Sequence, residues 1–205
     1  GNGQRGFNDE DIPKDETKRK LYEVGKDLLF ENEYYEIGMD HFALAEDSMY
    51  KSFQNKTLHR NFMGYTASKT QLMIGLGVSS ISDSWYSFAQ NVKTIEEYYR
   101  ILDTNEIPVF RGHVLTDEDL IIRRHILNLM CQFETSWANP KNYFVEIPEI
   151  VSQLKEMEKD GLVHFIPNGI QVTEEGKPFV RNICMAFDLL LKRKAPDTAL
   201  FSMTV

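Results

Sequence analysis

The chain is poor in cysteine, in positive charge and in long apolar runs. Two cysteines, Cys131 and Cys184, stand in 205 residues. That number excludes a disulfide framework. Both lie in helical apolar patterns, where cysteine behaves as a small buried hydrophobe. A reducing, cytoplasmic setting is therefore expected. Lys and Arg number 23 against 31 Asp and Glu, a net charge of −8, which opposes a nucleic-acid surface built on a basic stripe. No run of about 18 apolar residues reads as a membrane span, and no stretch reads as a signal peptide. His113, His125 and His164 fall at no metal-ligand spacing, so no metal site is expected. What is present is ample core material. Apolar residues make up 42% and aromatics 12%, enough for one or two domains.

Residues 1–16 are rich in Gly, Asn and Asp and read as a flexible entry segment. Thr17–Asn32 places Leu21, Val24, Leu28 and Leu29 at helical spacing. Tyr34–Met39 reads as a short strand, and a helix followed by a buried strand is half of an α/β repeat. In barrels made of such repeats the chemistry sits at strand C-termini, where Asp40 and His41 fall. Leu44–Gln54 reads as a short helix. Leu72–Ser80, LMIGLGVSS, is either a buried strand or a turn feeding a helix. Its G-x-G is too short for a dinucleotide fingerprint. Thr94–Thr104 reads as a helix capped by Thr94, with Glu97 three residues on.

A second unit begins near Ile107, dividing the chain into 1–16, 17–106 and 107–205. Phe110–Leu115 is extended. Thr116 then caps a helix whose first turn is acidic (Asp117, Glu118, Asp119). Ile122, Ile126, Leu129, Met130 and Phe133 continue it. Ile147–Asp160 is a second amphipathic helix, ended by Gly161. Leu162–Ile166 and Gly169–Val172 flank Pro167-Asn168 as a hairpin, and Thr173–Arg193 reads as a long helix. Helix, helix, hairpin and helix make a winged-helix-like order. Its DNA-binding use is opposed by the charge. Of Arg123 and Arg124, at least one reads as a solvated or inter-domain charge.

Leu58–Thr66, LHRNFMGYT, fits neither a clean amphipathic helix nor an alternating strand. Polar and titratable groups among aromatics, with a glycine, describe a ligand-lining segment; the plainer alternative is a surface loop with aromatic plugs.

IGMDHFA, LHRNFMGYT and GLGVSSIS, in that order, resemble the oxygen-independent coproporphyrinogen III oxidases of the radical S-adenosylmethionine superfamily. FRGHVLTDEDLIIRRHIL from Phe110, DGLVHFIPNGIQVTEEGKPFVRNICMAFD from Asp160 and the final FSMTV agree. The resemblance runs from about Thr17 to Val205. HRNF-x-GYT separates these oxidases from their heme-chaperone relatives. A chaperone-type portion that binds heme without oxidase activity is the alternative.

The resemblance implies an α+β, mostly α fold. It would hold the end of a partial (βα) radical barrel, then a helical domain with a winged-helix-like hairpin. It implies oxidative decarboxylation of two propionates of coproporphyrinogen III, two molecules of S-adenosylmethionine, and a four-iron four-sulfur cluster on a CxxxCxxC motif. Two cysteines cannot supply that motif. The chain therefore resembles only the C-terminal portion, with the N-terminal cluster-binding part as its partner, and is not expected to act alone.

A substrate with four carboxylates needs fixed cations, and arginine is the better fork. Arg60, with His59 beside it, is expected to face a propionate. Arg111 is the second candidate; a salt bridge to Asp117–Asp119 is its alternative. The resemblance places Phe62 and Met63 against the second S-adenosylmethionine. Some members have glutamine where Met63 stands, so apolar or backbone contact is expected there. It also places Ile81 there, partly through backbone, with Gly75 and Gly77 allowing close approach. Asp40 and His41 read as a structural pair, the aspartate orienting the imidazole. A proton-exchange role for His41 is the alternative.

Overall fold

A computed structural model describes residues 10–189 together with 6, 8 and 193. The FSMTV stretch lies outside them, as does part of the entry segment. Helix α1 spans Asp15–Glu31 and leads into strand β1, Tyr34–Gly38. β1 turns back at once into β2, His41–Leu44, as an antiparallel hairpin. Helix α2 is Ser48–Gln54, and Asp47 caps it by accepting from the Met49 N–H. It is shorter than the expected Leu44–Gln54, because residues 41–44 are drawn into the hairpin.

Strands β3, His59–Asn61, and β4, Gly64–Thr66, form a second hairpin around the two-residue loop Phe62-Met63. The LHRNFMGYT segment is thus strand after all. Three residues per strand are too few to show a period of two. Of Leu72–Ser80 only Met73 pairs, in a bridge to Asp83. The rest is neither strand nor helix. A three-stranded sheet follows, built from β5 (Ile81–Asp83), β6 (Ser87–Asn91) and β7 (Val109–Val114), with α3 (Ile95–Leu102) between β6 and β7. β6 pairs with β7, so this sheet crosses residue 107.

Helix α4, Asp117–Gln132, is capped by Thr116 as expected, and Asp119 completes a capping box there; at α3 Thr94 caps by accepting from the Glu97 N–H. Strand β8 (Glu134–Ser136), helix α5 (Ile147–Lys159) and the hairpin of β9 (Val163–Ile166) and β10 (Gly169–Val172) follow, in a sheet of order β8-β10-β9. The long helix expected over Thr173–Arg193 is broken. Thr173 Oγ1 accepts from the Gly176 N–H, and a 3-10 turn at Lys177–Phe179 precedes a short α6, Val180–Met185. The Thr173 hydroxyl and Pro178 each favour a turn over a helix interior.

One core joins the two sequence units. Leu129, Ile150, Leu154, Ile170, Ile183 and Phe187 are fully buried, and Ile37, Leu58 and Tyr65 belong to the same cluster. By contrast, the apolar stripe of α1 is largely uncovered. Leu21, Val24 and Leu28 are 56%, 49% and 54% exposed. Its hydrophobic periodicity has no partner of matching size within the described residues.

His125 is buried in this core, between the Thr135 hydroxyl and the Asn142 carbonyl, both at 2.7 Å. The carbonyl can only accept, so Nε2–H donates to it and Nδ1 accepts from Thr135. Burial lowers the His125 pKa below the ordinary 6.5, and nearby Arg124 adds to this, against the Asn142 hydrogen bond. The unfolded chain then binds a proton that the folded chain refuses. Stability is complete above pH of about 6.5 and is lost as pH falls below it towards the depressed folded value. Urea unfolding of wild type and His125→Gln across this window should show a smaller pH slope in the variant. Equal slopes would remove His125 as the cause.

Candidate functional site

The β3–β4 hairpin lies across helix α4 and beside the β5-β6-β7 sheet. Successive side chains of a strand point to opposite faces. Arg60 faces a groove of about 420 Å³ that it shares with Phe62, Phe88, Ile122 and Arg123. His59 instead lines a separate cavity behind the hairpin. The expected pairing of His59 with Arg60 on one ligand group is not made, because the strand separates them.

The Arg60 guanidinium sits 5.4 Å from the ring of its cross-strand partner Tyr65. Its Nε is buried and makes no hydrogen bond, and it has no carboxylate partner among the described residues. An orphaned cationic donor beside a groove is costly unless something accepts from it. Tyr65 is held from below. Its hydroxyl donates to the Met130 carbonyl at 2.7 Å, and burial pushes its pKa well above 10.

The second cation of the groove is not free. Arg123 donates to both carboxylate oxygens of Asp83, at 3.0 and 2.6 Å, and to the Trp85 carbonyl at 2.9 Å. The same guanidinium lies over the rings of Trp85 and Phe88, at 4.4 and 4.9 Å. This bidentate pair bolts the sheet to α4. At the groove's edge Asp119 is held below the usual carboxylate range. Burial alone would raise it, but hydrogen bonds from Thr116 and His113 outweigh that.

Phe62 stands 53% exposed at the hairpin tip and meets Phe88 edge-on at 5.1 Å. It also borders a neighbouring cavity of about 370 Å³ with Ile81 and Arg111. The structure therefore brings Arg60, Phe62, Ile81 and Arg111 to adjoining parts of one surface. Met63, 87% exposed, projects away into solvent, and its N–H is held by Asn61 Oδ1 at 2.8 Å. Arg111 does not pair with Asp117–Asp119; its Nε donates to Gln90 Oε1 across the sheet. His113 takes the place beside Asp119, at 3.4 Å.

Gly75 packs closely on Ile81, whereas a Cβ on Gly77, at φ +94°, would meet only the Ser80 hydroxyl, at 3.8 Å. A Cβ on Gly75 would lie 2.8 Å from the Ile81 backbone. The Gly75 and Gly77 carbonyls both accept from the Asn91 side chain. Asp40 does not orient His41. The imidazole Nδ1 donates instead to the Met39 carbonyl at 2.7 Å, within the β1–β2 turn. The ring meets Tyr65 edge-on at 5.0 Å.

No metal centre is formed by the described residues. Burial pushes both thiols, Cys131 and Cys184, up to about 12, so neither is a thiolate ligand at neutral pH. The chain's own residues do not fit an iron–sulfur cluster. Asp83 and Phe88 complete the groove and were missed by sequence reasoning, and Arg123, read there only as a solvated or inter-domain charge, joins them through Asp83. Asp83 and Arg123 are 40 residues apart, and no local pattern joins them.

No protein-family model matches the chain. The oxygen-independent coproporphyrinogen III oxidase of Escherichia coli K12 is 37% identical over 200 residues, 94% of this chain and 43% of that protein. Those of Synechocystis and Helicobacter pylori strain 26695 are 35% and 32% identical over 196 and 186 residues. The solved structure of coproporphyrinogen III oxidase (HemN) from Escherichia coli, described as a radical SAM enzyme, superposes with a TM-score of 0.84. The match has 35% identity and covers 90% of this chain and 44% of that one. The chain is a homologue of the C-terminal part of these oxidases. It spans about 43% of the length of the curated oxidases it matches.

Proposed function

We propose that this chain is the C-terminal part of an enzyme that oxidatively decarboxylates two propionates of coproporphyrinogen III to vinyl groups, giving protoporphyrinogen IX. In this reading, helix α1 and strand β1 are the end of the radical barrel, and α4 to α6 form a winged-helix-like cover. The uncovered stripe of Leu21, Val24 and Leu28 supports the first point, since a preceding barrel element would bury it. The chain alone is inactive, because the cluster ligands belong to the part it lacks.

One observation carries the substrate side: the buried, unpartnered Nε of Arg60 at the edge of the groove. A propionate would satisfy it and neutralise its charge. Arg111 and His113, further along the same surface, offer a second polar end. S-adenosylmethionine, when bound, supplies the adenosyl radical. The residues that fit it are Phe62, an exposed ring able to stack, and the backbone near Ile81. Phe88 holds Phe62 edge-on, and the lining of the groove is mostly apolar.

The test restores the missing part. The gene with its upstream region is expressed, the cluster is reconstituted anaerobically, and coproporphyrinogen III turnover is assayed with S-adenosylmethionine. Vinyl product is expected. Arg60→Ala should raise KM by about tenfold or more, the loss of one charge-assisted hydrogen bond. Unchanged kinetics in that variant would sink the assignment of Arg60. An enzyme that cleaves S-adenosylmethionine but leaves the porphyrinogen untouched would point to a heme-chaperone activity.

A further inference from the structure

Behind the β3–β4 hairpin, on the face opposite Arg60, lies the largest of the cavities described above, about 520 Å³. His59, Trp85, Lys69, Arg124 and Asn128 line it. We propose that this cavity is an oxyanion-binding site for a small ligand carrying two or more carboxylate or phosphate groups. The proposal does not depend on the reading of the Arg60 groove.

The first support is His59. It is only 6% exposed, and its side chain lines the cavity. An imidazole N–H that opens onto a cavity can donate to a bound oxyanion. Around it the charge is one-sided. Lys69 and Arg124 have no carboxylate partner among the described residues. Lys69 rests 5.6 Å from the centre of the Trp85 ring. Arg124 spends one Nη1–H on Asn142 Oδ1, at 2.7 Å, and keeps its other donors.

The nearby carboxylates are already taken. Asp83 is bound to Arg123, and Glu134 is bound to Lys56 on the cavity's rim. Burial, then Lys69 and Arg123, lower the His59 pKa, with Asp83 opposing. The imidazole therefore stays neutral and presents an N–H rather than a charge. A protein of net charge −8 thus keeps a pocket of the opposite sign. Such a local reversal concentrates anions against the overall field. Asn128 and the Trp85 ring add a hydrogen-bonding amide and a flat apolar wall, a usual lining for a small polar ligand.

The experiment is a histidine-ring NMR titration of this 205-residue chain near neutral pH at constant ionic strength. The probes are citrate and, separately, pyrophosphate. His59→Gln identifies the resonance. A saturable shift of the His59 ring in the millimolar range or below is expected. Lys69→Gln and Arg124→Gln should each weaken it by about tenfold. Lys155→Gln, the same charge change on α5, should leave it unchanged. Response to citrate alone identifies a carboxylate ligand, and response to pyrophosphate alone a phosphate ligand; either supports the site. No saturable shift with either anion overturns it. So does equal weakening by Lys155→Gln, which would mean diffuse charge attraction.

Discussion

Gly38→Ala should unfold this chain at a much lower urea concentration, with a loss of about 3–6 kcal/mol. Gly38 sits at φ +145°, and a Cβ there would stand 2.4 Å from the Tyr65 hydroxyl and 3.1 Å from the Met130 carbonyl. Those two atoms are themselves hydrogen-bonded at 2.7 Å. The methyl group therefore collides with the joint between the β3–β4 hairpin and helix α4. Three costs combine: backbone strain at positive φ, displacement of a packed ring, and a buried hydroxyl left without its acceptor. Tyr65→Phe removes only the last and should cost about 1–2 kcal/mol. Gly25→Ala is the control. It lies in α1 with nothing within 4 Å of its Cβ position, and should stabilise by about 0.5–1 kcal/mol. A Gly38→Ala loss no larger than that of Tyr65→Phe would mean that the joint can shift to accept the methyl group.

Arg123→Ala should cost about 3–5 kcal/mol, because it strands a buried carboxylate. The Asp83 and Arg123 side chains are only 9% and 13% exposed, and their bond is bidentate. The pair does not owe its importance to a large net attraction, since desolvation offsets most of the Coulomb gain. Arg123→Met combined with Asp83→Leu should therefore recover most of the loss. A double variant as unstable as Arg123→Ala would show that the Trp85 carbonyl contact and the stacking on Trp85 and Phe88 matter more than the charge pair. Trp85 fluorescence reports the same event, because the guanidinium lies 4.4 Å from that ring. The loss should also reach the groove through Phe88, which braces Phe62.

Much of the fold was legible in the sequence, for local reasons. Thr94 and Thr116 announce their helices, because a hydroxyl before an acidic turn satisfies free N–H groups. The β9–β10 hairpin is visible because two apolar runs flank Pro167-Asn168, and Asn168 takes φ +54°. The end of α5 is visible in Gly161, at φ +75°. Of the candidate site, Arg60, Phe62, Ile81 and Arg111 were named from sequence. The structure sets them on one surface.

What the sequence by itself determined is the family likeness, the helix starts, the absence of a cluster motif and the residue types a carboxylated ligand would need. These depend on local order along the chain. Only the tertiary structure decided which side chains work together. Strand alternation sent His59 and Arg60 to opposite faces, a two-residue loop threw Met63 into solvent, and the turn at Met39 claimed the His41 imidazole. Asp83 found Arg123 across 40 residues. Such pairings are set by how sheets and helices pack, and packing is a property of the folded whole that no short window of sequence contains.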